Sequence, residues 1–282
     1  MPLLQVWGSV ALGRWDDTAM NWPWLLMLVA LTLAVFGALR GEGVAPLVSL
    51  LGAYFVASLP MLDVHVALAG YADLPMAAIY TLAALALYRW TQRRAMRDAA
   101  VALFFTLCCP LIKTPGWIWP LTLVPALVIA LFPRRGMRIL GVILALGVLT
   151  LLAIARTSPT ILGYQLRLEF APAWRSLAEV YFLFGNWNLL WFGLIALFAI
   201  GWRQLRTPQL APLAVVAASG LAFLFVVFGF TNAVDWVVDY TTVNRATLHL
   251  APLLVVLGVL LWHRTTLEFP APSVEATATS AS

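Results

Sequence analysis

The sequence predicts an all-α polytopic membrane protein, with about nine transmembrane helices and one amino-terminal helix lying on the membrane surface. Three observations carry this expectation. Of 282 residues, 63% are hydrophobic and only 10% charged, whereas a soluble domain is about a quarter charged, so the chain could not cover its own surface with polar groups. The apolar residues fall into runs close to the ~20 residues that cross ~30 Å of hydrocarbon. Of the 17 basic residues, of which only Lys113 is a lysine, ten gather on one side, in alternate connections between those runs and after the last. Such a composition excludes a soluble enzyme, a nucleic-acid binder and a disordered chain, and leaves membrane lipids as the surroundings.

Residues 1–23 read as an interfacial helix on the outer face. Leu3, Leu4, Trp7, Val10 and Ala11 recur at helical spacing, and Arg14-Trp15-Asp16-Asp17 follows as a polar stop. The transmembrane domain covers 24–264. Its expected spans are Trp24–Leu39, Ala45–Leu62, Leu74–Trp90, Ala99–Ile112, Gly116–Phe132, Ile139–Ala155, Asn188–Trp202, Leu210–Phe230 and Leu248–Trp262. Pro110 and the Thr114-Pro115-Gly116 break leave open whether the fourth and fifth form a hairpin or one kinked unit. Residues 265–282, rich in Ser, Thr and Ala, read as a disordered cytoplasmic tail. Cys108 and Cys109 are adjacent in an apolar run and read as packing residues, because a vicinal disulfide would be strained.

Orientation follows from the arginines, since short Arg-rich loops stay cytoplasmic. Arg93, Arg94 and Arg97, then Arg134, Arg135 and Arg138, then Arg203 and Arg206 occupy alternate connections, with Arg40 and Arg264 on the same side. The other face receives Asp16, Asp17, Asp63, Asp73, Glu169, Glu179, Asp235 and Asp239, eight of the 12 carboxylates. The expected location is a bacterial inner membrane with the active face outward. This topology puts the amino terminus outside with no preceding span, which suggests a segment missing upstream.

Mid-membrane charge is costly and usually functional, yet the spans hold almost none at their centres. The ionisable groups collect instead at outer ends, which points to a site at the outer membrane surface. Three constellations stand out. In the first, Asp63, His65, Tyr71 and Asp73 precede Leu74-Pro75. Asp73 is either a helix cap, favoured by the positive end of the dipole, or a general base or ligand of a divalent cation. Asp63 and His65, two apart, diverge on a helix and share a face in an extended loop. In the second, Lys113-Thr114-Pro115-Gly116-Trp117 offers an ammonium that either snorkels to headgroups or contacts a lipid phosphate. In the third, Arg245 and His249 share a helix face. Arg245 is either the salt-bridge partner of Asp235 or Asp239, or a fork for phosphate oxygens. The outer segment 156–187 holds Arg156, Arg167, Glu169, Arg175, Glu179 and an aromatic run from Tyr181 to Trp187, and is long enough to act as a lid.

Taken together, Gly70-Tyr71-Ala72-Asp73-Leu74-Pro75, a lysine at the outer face before Gly116, and Arg245 followed by Leu248-His249-Leu250-Ala251-Pro252 resemble the polytopic glycosyltransferases of the GT-C superfamily. The branch in question includes protein O-mannosyltransferases and lipid A aminoarabinose transferases. The resemblance implies transfer of a sugar from a polyprenyl-phosphate donor to a lipid, glycan or protein acceptor at the outer face, with inversion at the anomeric carbon. It assigns Asp73 as the catalytic acidic residue and Lys113 and Arg245 to the donor phosphate. Asp63, His65, Tyr71 and His249 become further substrate or metal contacts. Pro115 stands where such enzymes often carry an acidic residue. Their main catalytic carboxylate lies in a first outer loop that the expected topology places upstream of this chain, so the resemblance implies a truncated amino terminus and leaves activity of the chain as given open. The alternatives are a transporter or lipid flippase, which predicts an inverted repeat and a polar tunnel, and a noncatalytic scaffold, which predicts charges paired only locally.

Overall fold

A computed structural model describes residues 2–155, 157–161, 163–166 and 170–268. The fold is all-α, 79% helical, and among the described residues its strands amount to one small hairpin. Helix α1 (Pro2–Leu12) exposes Leu3, Trp7 and Val10, and a 3-10 turn at Ala19–Asn21 leads into α2 (Trp22–Gly41). α2 buries Trp24, Leu28, Leu31, Val35 and Leu39, a stripe at helical spacing on one face. Then come α3 (Pro46–Ala57) and α4 (Pro60–Ala67), bent by 53°. Pro60 lacks an N–H and disfavours helical geometry in the residue before it.

α5 (Asp73–Arg93) and α6 (Met96–Ile112) form a hairpin, the most extensive helix pair among the described residues. α6 runs through Pro110 and stops at Lys113. Two 3-10 turns, Thr114–Trp117 and Trp119–Leu123, reverse the chain into α7 (Val124–Leu131), so the fourth and fifth apolar runs are two antiparallel units. After α8 (Gly136–Ala155), strands β1 (Thr160–Ile161) and β2 (Tyr164–Gln165) pair antiparallel, Ile161 opposite Tyr164. α9 (Trp174–Ala178) continues into a wider π turn at Glu179–Leu183. α10 (Leu190–Gly201), α11 (Ala211–Phe230), the short α12 (Asp235–Val238), α13 (Thr242–Leu248) and α14 (Ala251–Glu268) complete the chain, with α13 and α14 bent by 51°.

The core is built around α5 and α14. α5 buries Ala77, Ala78, Ala83, Ala84 and Ala86, small side chains that let α2, α6, α11 and α14 approach closely. α14 is buried along Ala251–Leu257. α8 is exposed along Val142–Leu149 and carries only apolar side chains there, as befits a helix whose surroundings are lipid tails. At one end of the bundle Arg93 donates to the Gly41 carbonyl, Gln92 to that of Gln209, and Arg264 pairs with Glu42. The Arg-rich turns therefore share an end. At the opposite end Trp24 donates to the Tyr71 carbonyl and Asn188 to that of Ser58.

All nine apolar runs are helical, but the span count differs from expectation. Three helical stretches among the described residues, Ala19–Gly41, Thr114–Leu131 and Ala211–Phe230, are long and apolar enough to cross a membrane, and up to five if each bent pair forms one span. The difference has a plain cause. α10 has 12 residues, about 18 Å at 1.5 Å per residue. α6 has 17 residues, and α5, long enough by itself, is diluted by Tyr80, Thr81, Tyr88 and Arg89. At the carboxyl end α14 continues through Glu268, past the expected start of the tail at 265, and 269–282 lie outside the described residues. So do Arg156, Arg167 and Glu169.

Candidate anion site at one end of the bundle

The turn before α5 is shaped by Gly70, whose φ of +101° suits glycine, and a Cβ there would stand 3.1 Å from Gln5 Oε1. The chain then enters α5 with Asp73 as its first residue. The carboxylate does not cap the helix. It turns inward, fully buried at 0% exposure, and gathers the basic side chains around it. Lys113 Nζ donates to Oδ1 at 2.6 Å. Arg245 donates to Oδ2 twice, from Nε at 3.0 Å and Nη2 at 2.9 Å. His249 Nε2 lies 3.2 Å from Oδ1, and His65 Nε2 3.6 Å from Oδ2.

Each cation is aimed by its own element. Lys113 closes α6 with extended backbone, φ −160° and ψ 160°. Gly116 permits this reversal, since a Cβ on it would clash with the Cys109 carbonyl oxygen. Arg245 on α13 lies over the Tyr71 ring at 4.9 Å, and the Tyr71 carbonyl is in turn fixed by Trp24 at 2.9 Å. His249 follows Arg245 by one helical turn, so both reach the same carboxylate. Its ring stands edge-on to Trp119 at 5.4 Å.

The structure thus brings Asp73, Lys113, Arg245, His249, His65 and Tyr71 into one cluster and leaves Asp63 out. Because α4 is helical, residues two apart diverge: His65 is buried and Asp63 exposed. The helix-cap reading of Asp73 and the snorkelling reading of Lys113 are both replaced by this inward pairing. Arg245 pairs with Asp73, while Asp239 accepts from the backbone N and Oγ1 of Thr241. The aromatic run from Tyr181 to Trp187 is tied down: Tyr181 hydroxyl bonds Thr247, Trp187 donates to Asn244, and Phe184 packs on Tyr240.

Residue types alone gave no sign of the layer beneath. Tyr80 hydroxyl bonds Thr122 Oγ1 at 2.6 Å, Thr122 donates to the Trp119 carbonyl, and Tyr80 packs on Trp119. The available signal was Trp119-Pro120, three residues past Gly116, which puts a bulky ring where the returning chain passes Lys113.

The electrostatics decide what this arrangement can hold. With neutral imidazoles, two permanent cations face one carboxylate, leaving a net charge of +1. Side-chain exposure is 22% for Lys113 and 38% for Arg245, so the negative group is sealed and the positive ones reach outward. Beside them lies a cavity of about 130 Å³ lined by Lys113, Trp119, Tyr164, Phe228, Arg245 and His249. A divalent cation fits poorly, because both carboxylate oxygens are already engaged by cations. Among the described residues no three His, Cys, Asp or Glu side chains are placed to hold a metal ion. An anion in the cavity would meet an ammonium and a guanidinium already held in place. Comparison with known protein families, curated proteins and solved structures finds no significant match.

Proposed function

We propose that the chain is a membrane glycosyltransferase of the GT-C type, taking a sugar from a polyprenyl-phosphate donor to an acceptor at the outer face of a bacterial inner membrane. The observation that carries this reading is the surplus positive charge: Lys113 and Arg245, aimed from α6 and α13 by the buried Asp73, face a cavity between helices at the end opposite the Arg-rich turns. A phosphate with a lipid tail is an anion that reaches such a site from within the bilayer.

In this reading the two cations bind the donor phosphate and stabilise the charge that grows on it as the bond to the anomeric carbon breaks and the acceptor oxygen attacks from the opposite side. Asp73 has both oxygens committed to hydrogen bonds, so it serves as the positioning residue that fixes the two cations. Deprotonation of the acceptor hydroxyl is not assigned to it. A noncatalytic scaffold would need its charges only to cancel locally, and here they do not.

The test is mass-spectrometric profiling of lipid-linked sugars in membranes with and without the chain, together with Lys113→Ala and Arg245→Ala. The expected result is that the polyprenyl-phosphate sugar accumulates without the chain and with either variant. An unchanged profile, or near-normal consumption of the donor by both variants, refutes the proposal.

A further inference from the structure

At the far end of the bundle a second cavity, about 240 Å³, opens between α5, α6 and α7, lined by Trp90, Ala99, Ala102, Leu103, Val124 and Leu127 among others. Its walls are apolar, and arginines lie at the neighbouring turns. Arg93, Arg94 and Arg97 lie at the α5–α6 turn and Arg134, Arg135 and Arg138 at the α7–α8 turn, all six exposed. The nearby carboxylate, Asp98, is taken by Arg89 at 3.5 Å.

Arg94 joins the two halves of this feature. Its guanidinium lies 4.7 Å over the ring of Trp90, a wall of the cavity, and donates to the Ala130 carbonyl at the end of α7. The charge therefore sits beside the Trp90 wall of the cavity, bridging α5 to α7. Arg94 is also the residue that ends α5, in the left-handed region at φ 55°. That conformation favours glycine, and an arginine there adds backbone strain. The strain is offset by contacts only a long cationic side chain can make.

We propose that this is a binding site for an acidic phospholipid, with one acyl chain in the α5–α6–α7 cavity and the headgroup phosphate on Arg94 and its neighbouring arginines. The complementarity is specific: the wall of an apolar slot between membrane helices, at Trp90, carries the Arg94 guanidinium on its ring, and further arginines lie at the adjoining turns. Loop arginines that served only to set orientation would need no cavity beneath them. The site is separate from the Asp73 cluster and needs no sugar chemistry, so either assignment can fail without the other.

The experiment is native mass spectrometry of the full chain released from nanodiscs of phosphatidylcholine doped with phosphatidylglycerol, counting the phosphatidylglycerol retained. The wild type should keep one phosphatidylglycerol in preference to phosphatidylcholine. Arg94→Gln should weaken retention about fivefold, the worth of one basic residue near an anionic headgroup. Leu103→Trp, at the exposed rim of the slot, should weaken it comparably with every charge in place, and an unchanged thermal melt shows that the variant is folded. Arg206 lies 4.4 Å over Trp202, a similar stacked arginine at the same end but outside this cavity, so Arg206→Gln should leave retention unchanged. Glycerophosphoglycerol, which has no chains, should not compete. Equal losses from Arg206→Gln and Arg94→Gln, no effect of Leu103→Trp in the folded protein, or competition by the chainless headgroup would each overturn the proposal.

Discussion

Asp73→Asn keeps the shape of the side chain and removes its charge. In the native cluster Oδ1 accepts from Lys113 and Oδ2 accepts twice from Arg245. An amide can turn its oxygen to only one of them, and its NH2 group must then face the other cation, donor against donor. One charge-assisted arm, worth about 1.5–3 kcal/mol, is lost outright, and the repulsion between the two cations loses its screen. Breaking a fully buried pair costs about 3–5 kcal/mol. The 38% exposure of Arg245 lets that side chain recover solvent, which places the expected loss near the low end, about 3 kcal/mol. At ~2–4 °C per kcal/mol for a chain of this size, melting in detergent should fall by about 6–12 °C. A double-mutant cycle with Lys113→Gln should show a coupling of about 1 kcal/mol or more, because Asp73→Asn does less harm once the ammonium is gone. A melt displaced by less than about 1 °C, or strictly additive losses, would show that the cluster is not held together by this carboxylate.

Other perturbations have equally definite outcomes. Gly116→Ala puts a methyl group against the Cys109 carbonyl and the Met76 side chain, so it should destabilise by about 1–3 kcal/mol and displace Lys113, read as a lower melt together with weaker retention of a polyprenyl phosphate. Tyr80→Phe removes a buried hydroxyl from Thr122 and should cost about 1 kcal/mol in the same melt, with donor binding unchanged. Glu179 is held below its ordinary value of 4.5 by the Tyr240 hydroxyl and by Arg175. A depressed carboxylate contributes its stability above the unfolded value and loses it as pH falls through the folded one, so the contact between the outer segment and Tyr240 should loosen below pH ~4.5. Tyr240→Phe should move that loosening to higher pH, read by hydrogen exchange over 174–184.

The sidedness of the charges was legible because it needs only alternation, which survives errors in where a helix starts. That is why Asp73, Lys113 and Arg245, named from three separate connections, meet at one end of the bundle. Their mutual arrangement was not legible. Lys113 looked like a headgroup anchor because nothing local shows that Gly116 turns the chain back against Cys109. Arg245 looked to Asp235 or Asp239, its near neighbours in sequence, and its partner lies 172 residues away. His65 and His249 were picked out by residue type, but only the helical form of α4 separates His65 from Asp63. The span count went astray because hydropathy does not show where a helix ends: α6 and α10 stop at 17 and 12 residues, and the run from Ala45 to Leu62 bends beside Pro60.

The sequence distances within the Asp73 cluster also bear on how the chain is made. Lys113 follows Asp73 by 40 residues, Arg245 by 172 and His249 by 176. As the polypeptide emerges, the α5–α6 hairpin can leave the translocation machinery with Asp73 already matched by Lys113 at this end. The excess charge arrives only with the last helices, after the rest of the bundle exists to receive it. Nascent chains stopped before α13 would thus be neutral at this point and insert normally, yet lack what draws an anion.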